Sequence, residues 1–212
     1  MILLTGFEPF GGESFNPSWA AAQQAAASLT ASGLPARALQ LPVEFGTSAD
    51  VLRRALATDP FDLVIAVGQA GGYGTLMLER VAINVDDALF PDNAGHSPVD
   101  EPVVAGAPAA YFSTLPIKAC LQALQDAEIP ARVSQSAGTY VCNHIFYALM
   151  NALADMPGVR GGFLHVPYSP EQVTDGKHPS MDVAQVARGL ELMVRTSLAT
   201  EKDLKLGAGT TH

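Results

Sequence analysis

Apolar positions fall along this chain in two rhythms, short unbroken runs and runs at helical spacing, and their order predicts an architecture. Met1 to Thr5 is an apolar run that stops at the cluster TGFEPFGGESFNPS, as a buried strand would on emptying into a long loop. Trp19 to Leu29, rich in Ala and Gln with Ser18 available as a cap, reads as a helix. Ala36 to Val43 reads as a strand, and Ser48 to Thr58 as a second helix that stops before Pro60 with Asp50 near its positive end. The clearest strand is Phe61 to Val67, FDLVIAV, set between Asp59-Pro60 and the glycine-rich GQAGG, and such strands are normally covered on both faces.

Arg80 to Val85, RVAINV, predicts another short strand, whereas Asp86 to Ala107 is rich in Pro, Gly and Asp, lacks periodicity and reads as a surface excursion. Then come a helix over Ile117 to Asp126, a strand over Ala131 to Gln135, an apolar helix over Asn143 to Ala154, a strand over Gly161 to Val166 and a loop from Pro167 to Pro179. Val183, Val186, Ala187, Leu190, Met193 and Val194 recur at helical spacing within Ser180 to Leu198, and EKDLKLGAGTTH reads as a frayed tail. With no repeat or linker, the expectation is one domain over residues 1–212, flexible from about 201. The alternation of strands and helices predicts an α/β fold, an α/β/α sandwich with its functional loops at strand ends.

Composition sharpens this picture. Of the 212 residues 48% are hydrophobic and 16% charged, below the roughly 25% usual in globular proteins, which favours a large core and surface buried beyond one monomer. The net charge of −9 disfavours a nucleic-acid or anionic-membrane surface. The start, MILLTGFEPF, has neither a basic leader nor a span-length apolar run, so a cytoplasmic setting is expected. Cys120 and Cys142 lack the paired spacing of a zinc or redox motif.

Cys142 lies in SAGTYVCNHIFYALM, after a strand-like run and a Gly turn, where an apolar helix begins. Helix N–H groups there favour a thiolate and can donate to an oxyanion, although a buried inert cysteine fits the same pattern. A nucleophile needs a base, and His165 in GFLHVPYSPEQ ends the returning strand. His144 is nearer, but two residues along a helix turn its ring away from Cys142. His96 and His178 sit in loops without metal partners, so no metal is expected. A carboxylate would orient the base: Glu79 in LMLERVAIN interrupts an apolar segment, but a Glu79-Arg80 surface pair explains it as readily, and Glu8 and Glu13 remain alternatives. Phe7 and Phe10 beside glycines can wall a small flat ligand or simply close their loop, while GQAGG does not make a dinucleotide fingerprint and no phosphate loop is present.

Taken together, LLTGFEPFGGESFNPS, VGQAGG, ERVAIN, SAGTYVCNHIFY and GFLHVPYSPEQ resemble the pyroglutamyl-peptidase I, or pyrrolidone-carboxylate peptidase, family, in consistent order from residue 3 to about 172. The resemblance implies a three-layer α/β/α sandwich with a mixed central sheet and release of an N-terminal pyroglutamyl residue from peptides without a cofactor. It implies Cys142 as nucleophile, His165 as base then acid and Glu79 as the orienting carboxylate. Phe10, Gln69 and Val141 match positions of the pyroglutamate pocket, Phe7 joins them as a packing partner, and Asn16 and Asn143 match supporting positions. A homodimer or homotetramer is implied as well. The chain departs from the family where many members carry Arg after the paired glycines: here that residue is Tyr73, which replaces a fixed charge with a phenol.

Overall fold

The computed structural model describes residues 1–174 and 176–210. Its strands and helices follow in the order β1 (Ile2–Phe7), α1 (Pro17–Ala31), β2 (Ala36–Leu41), α2 (Thr47–Thr58), β3 (Leu63–Gln69), β4 (Leu76–Glu79), β5 (Val81–Ile83), β6 (Ala110–Phe112), α3 (Ile117–Asp126), β7 (Ala131–Ser134), α4 (Val141–Leu153), β8 (Arg160–Val166) and α5 (Val183–Ala199). Six strands form one sheet in the order β2-β1-β3-β8-β4-β7, and β5 pairs with β6 in a separate ribbon. The strands β2, β1, β3 and β8 run parallel; β4 runs against β8 and parallel to β7, so the sheet is mixed.

Successive strand side chains point to opposite faces, and β1 and β3 are apolar on both because both are covered. Ile2, Leu4, Leu63, Ile65 and Val67 meet Leu29 of α1, Leu121 of α3 and Leu190 and Met193 of α5. On the other face Leu3, Phe7, Val64 and Ala66 meet Leu52 of α2 and Ile145, Phe146 and Leu149 of α4. These are the three layers expected. Full burial of each Leu or Phe contributes about 1.5–3 kcal/mol against exposure, so the sandwich faces dominate stability. Helix α1 lies so close to β1 that a Cβ on Gly6 would stand 2.5 Å from the Trp19 Cα, and only glycine fits there.

Two expectations are corrected. The cap of α1 is Asn16, whose side chain accepts from the Ser18 N–H, while the Ser18 hydroxyl accepts instead from the Phe7 N–H at 3.0 Å. The strand expected over residues 80–85 shortens to β5 and lies outside the main sheet, because Leu76–Glu79, with all four residues buried, occupies the sheet position. The ribbon partner β6 has no counterpart in the sequence reading. Within the stretch expected as a frayed tail, Asp203 accepts from the N–H groups of Lys118 and Ala119 at the start of α3, and the Lys118 ammonium donates to the Leu206 carbonyl. The end of that expected tail, 211–212, lies outside the described residues.

Candidate active site

Cys142 is the second residue of α4. No side chain caps the helix at Tyr140, and the Tyr140 carbonyl receives its first internal bond from His144 N–H at 3.1 Å. The N–H groups of Val141 and Cys142 therefore belong to the unpaired first turn, where the helix field is positive. Beneath the sulfur lies β3: a Cβ on Gly68 would stand 2.7 Å from Cys142 Sγ and 2.8 Å from the Phe163 ring.

His165 pairs with Gly68 in the parallel β3-β8 register, which brings its ring beside the same sulfur. Its Nδ1 lies 2.8 Å from Glu79 Oε1, and its ring meets Phe163 edge-on with centroids 4.9 Å apart. Glu79 is fully buried at the end of β4, and among the described residues its Oε2 has no hydrogen-bond partner, so the ring is what the carboxylate holds. Burial disfavours the His165 cation, but the negative charge of Cys142 and its hydrogen bond, with those of Glu79, outweigh it and push the ring's pKa up to about 10. The structure thus brings Glu79, His165 and Cys142 together. It leaves Glu13 exposed and gives Glu8 a different task, accepting from the Val43 N–H at 3.1 Å and from Asn93 at 2.8 Å.

Cys142 and His165 open into a cleft of about 530 Å³ that Phe7, Phe10, Gln69 and Val141 also line. The Gln69 Oε1 accepts from Gln172 Nε2 at 3.1 Å, a contact that does not use its own amide N–H groups. Asn16 ties the first loop to itself by donating to the Glu8 carbonyl, and Asn143 clamps β5 to α4 through the backbone of Ile83 and Val85.

The other candidates are engaged elsewhere. His144 turns away from the cleft, with Nδ1 2.7 Å from Asp86 Oδ2 and Nε2 accepting from the Gly46 N–H at 3.1 Å. His96 lies 3.5 Å from Asp92, and the His178 ring stands 5.9 Å from that of Tyr168. Among the described residues no group of three or more His, Cys, Asp or Glu could hold a metal. Cys120 is the inert cysteine: burial pushes its thiol up to about 11. Tyr73 lines the cleft, and the Arg132 guanidinium stacks over its ring at 4.7 Å.

Sequence reasoning missed Gln172, Tyr168, Met77 and Arg132. Gln172 closes a short 3-10 turn over 170–172 that Ser169 caps, a signature visible in YSPEQ. Tyr168 packs where a Cβ on Gly71 would stand 2.2 Å from its ring, and nothing local announces that contact.

The family model described as pyroglutamyl peptidase matches residues 1–200. The pyrrolidone-carboxylate peptidase of Streptomyces coelicolor is 54% identical over 214 residues, covering 100% of this chain and 99% of its own, and that of Clavibacter michiganensis is 54% identical over 209, covering 99% and 98%. Among solved structures, the pyroglutamyl peptidase I of Bacillus amyloliquefaciens is 43% identical and superposes with a TM-score of 0.91 over 97% of this chain and 98% of its own. A mutant pyrrolidone carboxyl peptidase of P. furiosus is 39% identical with a TM-score of 0.87 over 95% and 99%. On that match, which runs through both halves of the sheet and the segment bearing Cys142, the chain belongs to the pyroglutamyl peptidase I, or pyrrolidone-carboxylate peptidase, family of cysteine-type exopeptidases.

Proposed function

We propose that this chain hydrolyses the amide bond after an N-terminal pyroglutamyl residue, with Cys142 as nucleophile, His165 as base then acid and Glu79 as the carboxylate that orients it. The observation that carries the reading is the contact of Glu79 with His165 Nδ1, which leaves Nε2 to serve Cys142 at the mouth of an apolar cleft. His165 Nε2 takes the Cys142 proton, and the sulfur attacks the pyroglutamyl carbonyl carbon. The N–H groups of Val141 and Cys142 receive the developing oxyanion. The imidazolium then protonates the departing amine as the C–N bond breaks, leaving a thioester. A water deprotonated by His165 attacks that thioester, and pyroglutamate leaves as the thiol is restored.

Phe7, Phe10 and Val141 suit a compact lactam ring, and the Gln69 amide can donate to its carbonyl. A free amino terminus would carry an ammonium into these apolar walls at a large desolvation cost, so a blocked terminus is preferred. Peptides with N-terminal pyroglutamate are the partners this reading assigns, in the cytoplasm and with no cofactor. Among the described residues no helix is long and apolar enough to cross a membrane. The reading also takes the enzyme as a homodimer or homotetramer, which sedimentation velocity would test.

The deciding experiment incubates the reduced protein with matched fluorogenic pyroglutamyl and glutamyl amides, with Cys142→Ala as control. Release from the blocked substrate alone, abolished in the variant, is expected. Undiminished turnover by Cys142→Ala sinks the mechanism, and a well-folded protein that releases neither product is a binder or acts on another amide.

A further inference from the structure

We propose that Arg132 is a specificity-determining residue that binds a carboxylate on the leaving-group side of the cleft, so that peptides with an acid group just after the pyroglutamyl residue are preferred substrates. This rests on the peptidase reading above. Met77 on β4 pairs with His165 on one side and with Arg132 of β7 on the other. The three residues therefore stand in one row, and paired residues in a sheet project to the same face. Strand spacing puts the Arg132 Cα roughly 10 Å from that of His165, within reach of the first residues beyond a scissile bond held at Cys142.

The row has a direction. Phe7, Phe10 and Gln69, the walls suited to the lactam, come from the ends of β1 and β3 on the far side of His165. Met77, Arg132 and Ser134 line the same cleft from the β4-β7 side, which is where the peptide beyond the reacting carbonyl must leave.

The chemistry of Arg132 fits an incoming anion. Its guanidinium carbon stands over the Tyr73 ring, 4.7 Å from the centroid, and one terminal nitrogen contacts Met77 Sδ at 3.2 Å. These two contacts hold the guanidinium by its face and one nitrogen, and five N–H donors are more than they use, so the fork can receive a carboxylate bidentately. Among the described residues Arg132 makes no ion pair, unlike Arg37 and Arg53, which are held by Asp59 and Asp50. No Asp or Glu lines the cleft among the described residues, and the Cys142 sulfur is paired with His165, so a carboxylate arriving beside Arg132 meets no unpaired like charge from the wall. The chain as a whole carries −9, and this cation is thus a local exception placed beside the reacting bond.

Two substrate groups offer that chemistry: the side chain of an Asp or Glu directly after pyroglutamate, and the free C-terminal carboxylate of a pyroglutamyl dipeptide. The test measures kcat/KM for pyroglutamyl-Ala-amide as neutral reference, pyroglutamyl-Glu-amide, free pyroglutamyl-Ala and pyroglutamyl-Lys-amide, at low and at high salt. In the native enzyme at least one acidic peptide is expected to exceed the neutral reference by about fivefold, the size of a half-exposed charge-assisted bond, with the Lys peptide below it. Which acidic peptide gains identifies the carboxylate. The ratio should fall to about one in Arg132→Gln and with added salt, and lie between in Arg132→Lys, which keeps the charge without the fork. A ratio near one in the native enzyme, or one that survives in folded Arg132→Gln, overturns the carboxylate assignment while the neutral peptide still reports peptidase activity. No turnover of any pyroglutamyl peptide overturns both.

Discussion

The Cβ that Gly68 lacks would stand 2.7 Å from the sulfur of Cys142. This contact ties the nucleophile's position to the middle of the sheet, since Gly68 ends a run of fully buried residues on β3. Gly68→Ala leaves the backbone in an extended conformation any residue adopts, so its effect isolates the steric one. The variant should stay folded and lose about 10²-fold in kcat, the cost of moving a reacting atom by about an ångström. Steady-state kinetics beside a thermal melt check this; an unchanged kcat would mean that the sulfur is placed by α4 alone.

His165 sets the expected pH behaviour. Burial opposes its cation, but Cys142 and Glu79 raise its pKa to about 10, above the 6.5 of an unperturbed ring. A raised pKa of this kind contributes stability that is fully present below 6.5 and lost as pH climbs through about 10. The imidazolium needed to expel the amine persists over the same range, so kcat/KM should hold through neutral pH and fall along an alkaline limb near 10. Glu79→Gln removes one of the raising charges and should move that limb to lower pH. A limb that stays put in the variant argues against an orienting role for Glu79.

Asp92 anchors the excursion that follows the sheet. Its buried carboxylate accepts from the N–H groups of Phe45, Ala94 and His96. Burial works against its charge, yet the bonds from His96, Phe45 and Ala94 prevail and hold its pKa below the usual carboxylate value. The stability it contributes is present above pH 3.8, the unfolded value, and disappears as acid carries the pH down through the lower folded one. Asp92→Ala orphans these donors and should cost about 3 kcal/mol in chemical denaturation at neutral pH, with the deficit shrinking in acid.

The terminal segment gives a smaller effect. Asp203 does for α3 what a capping residue would, because Pro116 at that helix start offers no side-chain acceptor. Asp203→Ala should lower stability by about 1 kcal/mol, a Tm drop of roughly 2–4 °C, without changing turnover. A melt indistinguishable from the native one would show that the segment is loosely held in solution.

The sequence made some of this legible and not the rest, for physical reasons. Helix α3 and the core of β3 carry their signals locally, in a helical apolar stripe and in a β-branched run between turns. Cys142 and His165 were legible because each sits where a strand changes into a turn or helix. Strand β4 was hidden: four residues ending in a glutamate look like a loop until the partner His165 is known. Arg132 was hidden for a related reason, since its neighbours across the sheet, Met77 and His165, are set by a strand order that no local pattern encodes.

The burial of Glu79 has a consequence for how this centre can change. Cys142 stands at the cleft, half exposed, and its loss leaves the carboxylate still facing an imidazole. His165 is different, because its removal strands a carboxylate inside the sheet with nothing to meet it. A lineage drifting toward inactivity can therefore shed its nucleophile first and keep its fold, whereas the histidine cannot be discarded while the glutamate stays charged behind it.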